Sequence, residues 1–417
     1  MDEKLKLAET NPYFCILPFT HSYINTDSSC RLCCISRGNP IEKNVIGKDM
    51  SEIWQGEKYQ EIRRKMINGE PVPQCNICYD LEKRGGGSDR ETHNKAMMSG
   101  NNPWAEKPVE WDIDIVKGNT LGTPLWADMR PGRLCNYSCR MCWGGASSTI
   151  AKEQLEYPDL QLITGEPYMD IKEWIDDENI FDNITKWIPN LRILKLAGGE
   201  PFFMPGVLKL IKWCVDTGNT HLHLDITTNG SRTQGKVTRW LEKFRGISIQ
   251  FSICGIGYPN DYIRHGADWV KMDKAYKKYL NNPNIKVHIL STVQVYNAFD
   301  ITNIIQYWLD NGAQGNLILN TVDGPADLRI DILPMEDRLQ IANDIESLGT
   351  SFSKKLHRSG IGRIEHVVAR LREEFEPEAI QKLRTRWAIR TRKFDQIRNN
   401  DISRVHPKLE EYCKEWS

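Results

Sequence analysis

Three cysteines fall within eight residues of this chain, in Cys135-Asn136-Tyr137-Ser138-Cys139-Arg140-Met141-Cys142, spaced C-x3-C-x2-C. In a reducing compartment, thiols this close are metal ligands more often than disulfide partners. A structural zinc ion usually takes four protein ligands. Three thiolates on one tight loop suit a cubane iron–sulfur cluster whose fourth iron stays open to another molecule. The triplet therefore predicts a fold that presents a ligand loop to an open iron, with a zinc or purely structural cluster loop as the alternative.

The remaining composition narrows the class. A chain of 417 residues predicts two or three domains, and 40% hydrophobic with 26% charged residues is ordinary for a globular protein. The 55 basic and 55 acidic side chains cancel, so no global field points to nucleic acid or membrane as the main partner. The start, Met1-Asp2-Glu3-Lys4-Leu5-Lys6, lacks the apolar run of a signal peptide, and no window approaches a membrane span. A cytoplasmic protein is expected. The twelve cysteines fall mainly in two groups, Cys15 to Cys78 and Cys135 to Cys142, which predicts two metal centres.

Residues 11–90 read as a small loop-rich module. Cys75-Asn76-Ile77-Cys78 has the two-residue gap that lets both sulfurs face one metal, and Cys15, Cys30, Cys33 and Cys34 precede it. Between them, residues 50–67 carry apolar positions at helical spacing, with Ser51 able to cap the first turn. A core this small draws much of its folding energy from bound metal. Residues 91–120, together with Gly85-Gly86-Gly87 just before them, read as a connector rich in glycine and charge.

From 121 to 330, short apolar runs alternate with helical patterns, which predicts an α/β domain with a parallel sheet. The strands expected are 125–130, 191–197, 222–227, 247–253, 286–292 and 317–321. Residues 331–417 are expected to be a helical extension. Its last long helix carries Lys382, Arg384, Arg386, Arg390, Arg392 and Lys393, a run that suits an acidic peptide, a phosphate backbone or simply a solvated face. A nucleic-acid partner stays open on these residues.

The triplet, with Met141 as the apolar residue before its last cysteine, resembles the signature of the radical S-adenosylmethionine (SAM) superfamily. The resemblance implies a partial (β/α)6 TIM-type barrel and a [4Fe-4S] cluster held by Cys135, Cys139 and Cys142. SAM on its open iron is then cleaved to a 5′-deoxyadenosyl radical, with electrons from an external donor such as flavodoxin or ferredoxin. The order Asn11-Pro12-Tyr13-Phe14-Cys15, then Ser28-Ser29-Cys30-Arg31-Leu32-Cys33-Cys34, then Glu52-Ile53-Trp54, Ile62-Arg63 and Cys75-Asn76-Ile77-Cys78 looks like the SPASM/twitch auxiliary-cluster module. That module commonly follows the barrel, and here it precedes it. The implied ligands of an auxiliary [4Fe-4S] cluster are Cys15, Cys33, Cys75 and Cys78. Ser28 stands where the family usually has glycine, which leaves Cys34, and behind it Cys30, as rivals of Cys33. Zinc is the alternative metal, since four thiolates suit either.

In parallel barrels the reactive residues lie at the C-terminal ends of strands, and the motifs obey that rule. The triplet follows the first strand. Gly198-Gly199-Glu200-Pro201 follows the second and resembles the motif that binds the SAM amino group. Thr227-Thr228-Asn229-Gly230 ends the third, where Thr228 and Asn229 offer hydrogen bonds to ribose or carboxylate. Ser252 matches the family's polar residue on the fourth strand, and Arg264 stands where an arginine often pairs with the SAM carboxylate. Cys254 occupies the third position of Ser252-Ile253-Cys254-Gly255, where relatives often carry aspartate. It is either a hydrogen-atom donor to a substrate radical or a small buried residue. Residues 88–91, with Ser88, Arg90 and Glu91, either line the site mouth or belong to a solvated linker. Relatives with such modules favour peptide or protein substrates. The alternatives are a nucleoside or small metabolite, or a non-catalytic iron–sulfur or zinc protein.

Overall fold

The computed structural model describes residues 9–83, 87–98, 122–165, 167–232, 235–312, 315–349, 355–356 and 358–416. Most of the expected connector, with Gly85, Gly86 and Gly100, lies outside the described residues. Ten strands are formed among them: β1 (His21–Ile24), β2 (Cys30–Arg31), β3 (Trp126–Met129), β4 (Ser138–Cys139), β5 (Ile193–Leu196), β6 (His223–Thr228), β7 (Gly246–Ser252), β8 (Arg264–His265), β9 (Lys286–Val293) and β10 (Leu317–Thr321). All six strands expected from alternation are present, as β3, β5, β6, β7, β9 and β10. The chain divides into two compact units.

The first unit comprises residues 1–133, 171–226 and 235–247. Its strands run in the order β2-β1-β3-β5-β6, with β1 antiparallel to β2 and the rest parallel. β1 and β2 belong to the cysteine-rich module, and sequence reading missed them: β1 is only four residues long and carries no clear alternation. They are joined by a turn in which Ser28 takes φ 62°, a left-handed conformation that glycine adopts without strain. That is the physical reason for a glycine preference here. Ser28 holds the conformation with its hydroxyl, which donates to Asn44 Oδ1 at 2.9 Å.

The helix expected over residues 50–67 is two helices, Met50–Gln55 and Glu57–Ile67, parted at Gly56. Asp49, not Ser51, caps the first by accepting from the backbone N–H groups of Ser51 and Glu52. Beneath them Arg63 is fully buried, its Nε donating to the Pro18 carbonyl at 2.8 Å and its guanidinium 4.4 Å from the Trp54 ring. Ser88 and Arg90 are buried as well. Arg90 forks onto Glu82 and donates to the Phe14 carbonyl at 2.7 Å, next to Cys15, so these residues fasten the module and are not solvated. The register along β1, β3, β5 and β6 places Ile24, Met129, Leu196 and Ile226 on one sheet face. Period two puts Tyr23, Asp128, Lys195 and Asp225 on the other.

The second unit comprises residues 134–170, 227–234 and 248–417, the division falling inside β6 and β7. Here β7, β9 and β10 pair in parallel, and β4 pairs separately and antiparallel with β8. Helix Trp269–Leu280, capped by Asp268, and helix Ile301–Asp310 carry the apolar faces expected of them. Among the described residues, the extension's α-helices are Met335–Ser347, Arg358–Arg372, Pro377–Arg398 and Pro407–Glu415.

Candidate active site

The triplet loop is fixed in the second unit from both ends. Ser148 Oγ accepts from Cys135 N and donates to Cys135 O, each at 3.1 Å, and Ser147 and Thr149 donate to the Tyr137 carbonyl at 2.7 and 2.6 Å. This Ser-Ser-Thr run escaped sequence reading, although its position just ahead of an apolar-periodic stretch is a helix-start signal. Ser147 indeed caps helix Ser148–Glu156. The middle of the loop is β4, where Cys139 pairs with Arg264 and Arg140 N donates to the Ile263 carbonyl at 2.8 Å.

That pairing decides where Arg264 goes. Its buried guanidinium spans two sulfurs, with Nη1 3.7 Å from Cys139 Sγ and Nη2 3.2 Å from Cys254 Sγ. Cys254 is fully buried, and its backbone N–H is held by Asn260. From the end of β6, Asn229 Nδ2 reaches Asn136 Oδ1 at 3.0 Å and approaches Cys135 Sγ at 3.9 Å, while Thr228 Oγ1 accepts from Gly230 N. Asn229 and Arg264 thus both bear on the triplet. Ser252 is buried at the C-terminal end of β7. Met141 is half-buried on the loop.

The three thiols influence one another's ionisation only in part. Burial pushes Cys142 up, and the charges of Cys139 and Cys135 push it further. Cys139 is raised by burial while Arg264 draws it down. Thiolates brought together in this way repel one another unless a metal binds them.

Arg140, inside the motif, has a structural task. It is 1% exposed, its guanidinium lies 3.7 Å from the Tyr262 ring centroid, and it forms an ion pair with Asp395 of helix Pro377–Arg398. Asp395 also accepts from Tyr262 Oη at 2.8 Å and from Ile402 N at 3.2 Å. Five of the six side chains in the basic run on that helix have partners, while Lys382, Arg386 and Arg392 remain exposed to solvent. Arg390 is bound to Asp327 at 2.6 Å, Lys393 to Asp159 at 2.6 Å, Arg384 to the Ile332 carbonyl at 2.8 Å, Arg386 to the Thr164 carbonyl at 2.7 Å and Arg392 to the Cys413 carbonyl at 2.8 Å. Only Lys382 of the six is exposed with no such partner among the described residues.

In the first unit, Gly198 follows β5 at φ 105°, close enough to the chain that an added Cβ would lie 2.8 Å from the Gly132 carbonyl. Gly199 N donates to that same carbonyl at 3.1 Å. Glu200 is fully buried and accepts from Phe202 N at 3.1 Å, capping the short turn that Pro201 begins. The module's cysteines sort into two groups. Cys15 is raised by burial and then by Cys75, Cys33 and Cys78. Cys33 and Cys75 are each pushed up to about 12, chiefly by burial. Cys30 is core, its sulfur against Ser22 and Tyr59. Cys34 faces other company: Asp128, Arg130, Lys195 and Asp89 act on it. Cys33 feels Cys34 first and Cys75 after it, so it stands between the two groups. No group of three or more His, Cys, Asp or Glu side chains among the described residues is already disposed to hold a single metal ion.

Residues 15–79 match the SPASM family, described as an iron–sulfur cluster-binding domain, and the SPASM-type resemblance read from the cysteine order is borne out from Cys15 to Tyr79. Among curated proteins, the chain is similar to the sporulation killing factor maturation protein SkfB of Bacillus subtilis (strain 168), with 19% identity over 210 residues. That match takes in 50% of this chain and 46% of SkfB, so the chain spans about half the length of the curated relative it matches. Among solved structures, anSMEcpe with bound AdoMet matches at 14% identity and TM-score 0.40, over 55% of this chain and 62% of that one. Streptococcus suis SuiB bound to S-adenosylmethionine matches at 14% and 0.39, over 71% and 63%, and SuiB bound to its precursor peptide SuiA at 13% and 0.37, over 71% and 63%. No described helix is long and apolar enough to cross a membrane.

Proposed function

We propose that this chain is a radical SAM enzyme that abstracts a hydrogen atom from a peptide or protein. The single observation carrying the proposal is the triplet loop, where Cys135 and Cys139 both act on Cys142 and Arg264 donates to Cys139. A [4Fe-4S] cluster bound there with SAM supplies one-electron cleavage of the sulfonium to a 5′-deoxyadenosyl radical. Cys135, Cys139 and Cys142 hold the cluster, and Arg264 and Asn229 orient its ligand loop. Gly198, Gly199, Glu200 and Pro201 are assigned to the methionine end of SAM, with Met141, Thr228 and Ser252 as further contacts. Cys15, Cys33, Cys75 and Cys78 hold an auxiliary [4Fe-4S] cluster, as the iron–sulfur domain match over residues 15–79 supports. Electrons come from a flavodoxin or ferredoxin. None of the twelve cysteines is in a disulfide, which fits a reducing cytoplasm. The peptide class is supported by the likeness to SkfB, a sporulation killing factor maturation protein.

Anaerobic reconstitution, followed by iron and sulfide counting and 5′-deoxyadenosine assay under reduction, tests this reading. The expected result is two clusters per chain and deoxyadenosine production that is lost when Cys135, Cys139 and Cys142 are all changed to Ala. A zinc-loaded loop that leaves SAM intact would sink it. Cys254 is assigned the hydrogen-donor role, and its contact with Arg264 gives it a second one. Cys254→Ser keeps a partner for Arg264 but cannot donate hydrogen readily. Normal product from Cys254→Ser removes the donor role.

A further inference from the structure

Five oxidisable rings stand end to end in the second unit, outside both thiol centres. Tyr262 lies behind the triplet loop: its carbonyl accepts from Arg140 Nε at 3.1 Å, and two residues on, Arg264 reaches Cys139 Sγ. Ring centroids are then 5.7 Å apart from Tyr262 to Tyr296, 5.7 Å from Tyr296 to Trp387, 5.3 Å from Trp387 to Trp416 and 4.6 Å from Trp416 to Tyr412. The first four rings are buried and Tyr412 is half-buried, so the row runs from the interior to solvent. Packing accounts for rings in contact, and a buried phenol needs only some hydrogen-bond partner. Here both end phenols donate to a carboxylate. Tyr262 Oη donates to Asp395 Oδ1 at 2.8 Å, and Tyr412 Oη donates to Asp337 Oδ2. Arg140 and Lys408 pair with those same acids. Tyr258 is the natural comparison. It is also half-buried and 6.1 Å from Tyr262, but its Oη meets the Asp401 backbone and no carboxylate, and Arg404 lies 3.9 Å from its ring.

We propose that Tyr262, Tyr296, Trp387, Trp416 and Tyr412 form a relay that carries an oxidising equivalent from the triplet loop to the surface; this rests on the reading that Cys135, Cys139 and Cys142 hold a cluster. A phenol gives up an electron more readily when a carboxylate takes its proton at the same time. The Arg140 guanidinium is 3.7 Å from the Tyr262 centroid and that of Arg384 is 4.9 Å from Trp416, so a lasting positive charge is disfavoured on either ring. The equivalent comes to rest as a neutral phenoxyl at Tyr412. The oxidant is the hydroxyl radical formed when hydrogen peroxide takes one electron from a ferrous iron and its O–O bond breaks, releasing hydroxide. It gains an electron from Tyr262 and a proton from solvent and becomes water, while the phenolic proton passes to Asp395. An electron from Tyr296 and that same proton restore Tyr262. The vacancy moves ring by ring until Tyr412 loses an electron and passes its proton to Asp337. A small thiol in solution then gives Tyr412 a hydrogen atom, Asp337 returns its proton to solvent, and two thiyl radicals join as a disulfide.

The relay is tested on the full chain, reconstituted anaerobically, reduced and freed of thiol. The protein is mixed with hydrogen peroxide and a nitroso spin trap, and trapped tyrosines are located by peptide mass spectrometry. Tyr412 is expected to carry several-fold more adduct than Tyr258. Tyr296→Phe keeps the ring but resists oxidation, and should cut the Tyr412 adduct several-fold while Tyr258 gains. Asp337→Asn should lower the Tyr412 adduct as well. No adduct at Tyr412, as much or more at Tyr258 in the wild type, or an unchanged Tyr412 adduct in Tyr296→Phe or Asp337→Asn overturns the proposal. So does equal labelling of Tyr412 when Cys135, Cys139 and Cys142 are all changed to Ala, because the oxidant then comes from bulk solution. If Tyr296→Phe fails to fold, the wild-type ratio of Tyr412 to Tyr258 and the triple variant decide. Failure of the cluster reading looks different: wild type and triple variant bind equal iron, and the relay falls with it.

Discussion

Arg264 shows how one side chain reaches a role that spacing alone does not reveal. In sequence it is a plausible carboxylate partner, but the short pairing of β4 with β8 sets it opposite Cys139 and turns its fork onto two sulfurs. A cation that donates to a cluster thiolate favours the reduced, more negative cluster. Arg264→Gln should therefore lower the reduction potential of the triplet's cluster by on the order of tens of millivolts, read by a potential titration monitored by electron paramagnetic resonance. An unshifted potential would detach Arg264 from the cluster. A second residue sets an acid limit on stability. His288 is buried, its Nδ1 accepts from Asn316 N at 2.9 Å, and burial with Lys286 nearby lowers its pKa from 6.5 to about 4. The unfolded chain takes up this proton first as pH falls below 6.5. The contribution is thus complete above that pH and is lost progressively toward pH 4, by about 3 kcal/mol in all. Urea midpoints at pH 7.5 and 5 should diverge less in His288→Gln, which keeps an acceptor but does not titrate.

At the level of elements, strands and helices with clear periodicity were legible, and contacts between distant segments were not. The six parallel strands and the helices between them follow from alternation and apolar spacing. The basic run of helix Pro377–Arg398 is where composition was least informative, because five of its six charges meet carboxylates and carbonyls as distant in sequence as Asp159 and Thr164. The Arg140–Asp395 pair is the one to break. Asp395→Asn leaves a buried guanidinium without its counter-charge, and a loss of about 3–5 kcal/mol is expected in denaturant titration. A double-mutant cycle with Arg140→Met should show strong coupling, and additive effects would make the pair incidental. The turn after β5 offers a separate test. Gly198→Ala meets both a positive φ and the Gly132 carbonyl. It should cost about 1–3 kcal/mol and raise the Kd for SAM in calorimetry.

For the whole molecule, the cysteine order made the iron–sulfur module of residues 15–79 legible, while the manner in which the module meets the sheet was not. Nothing in residues 21–24 announces a strand, since its four residues are all buried and show no alternation. Its partner also lies about a hundred residues away, beyond the reach of local pattern. Because Cys15 is buried just ahead of β1 and is proposed to bind a cluster, Cys15→Ser should speed amide hydrogen exchange across β1 and β3 as well as in the module itself. Exchange confined to residues near Cys15 would contradict this. The parallel ladder between β1 and β3 has a practical corollary. A shortened chain beginning after the module would leave one side of β3 with its backbone donors and acceptors facing water, an orphan edge that solicits pairing from another molecule. Such a fragment is expected to scatter light as it self-associates, so the two thiol centres are best dissected by point substitution in the intact polypeptide, never by cutting it.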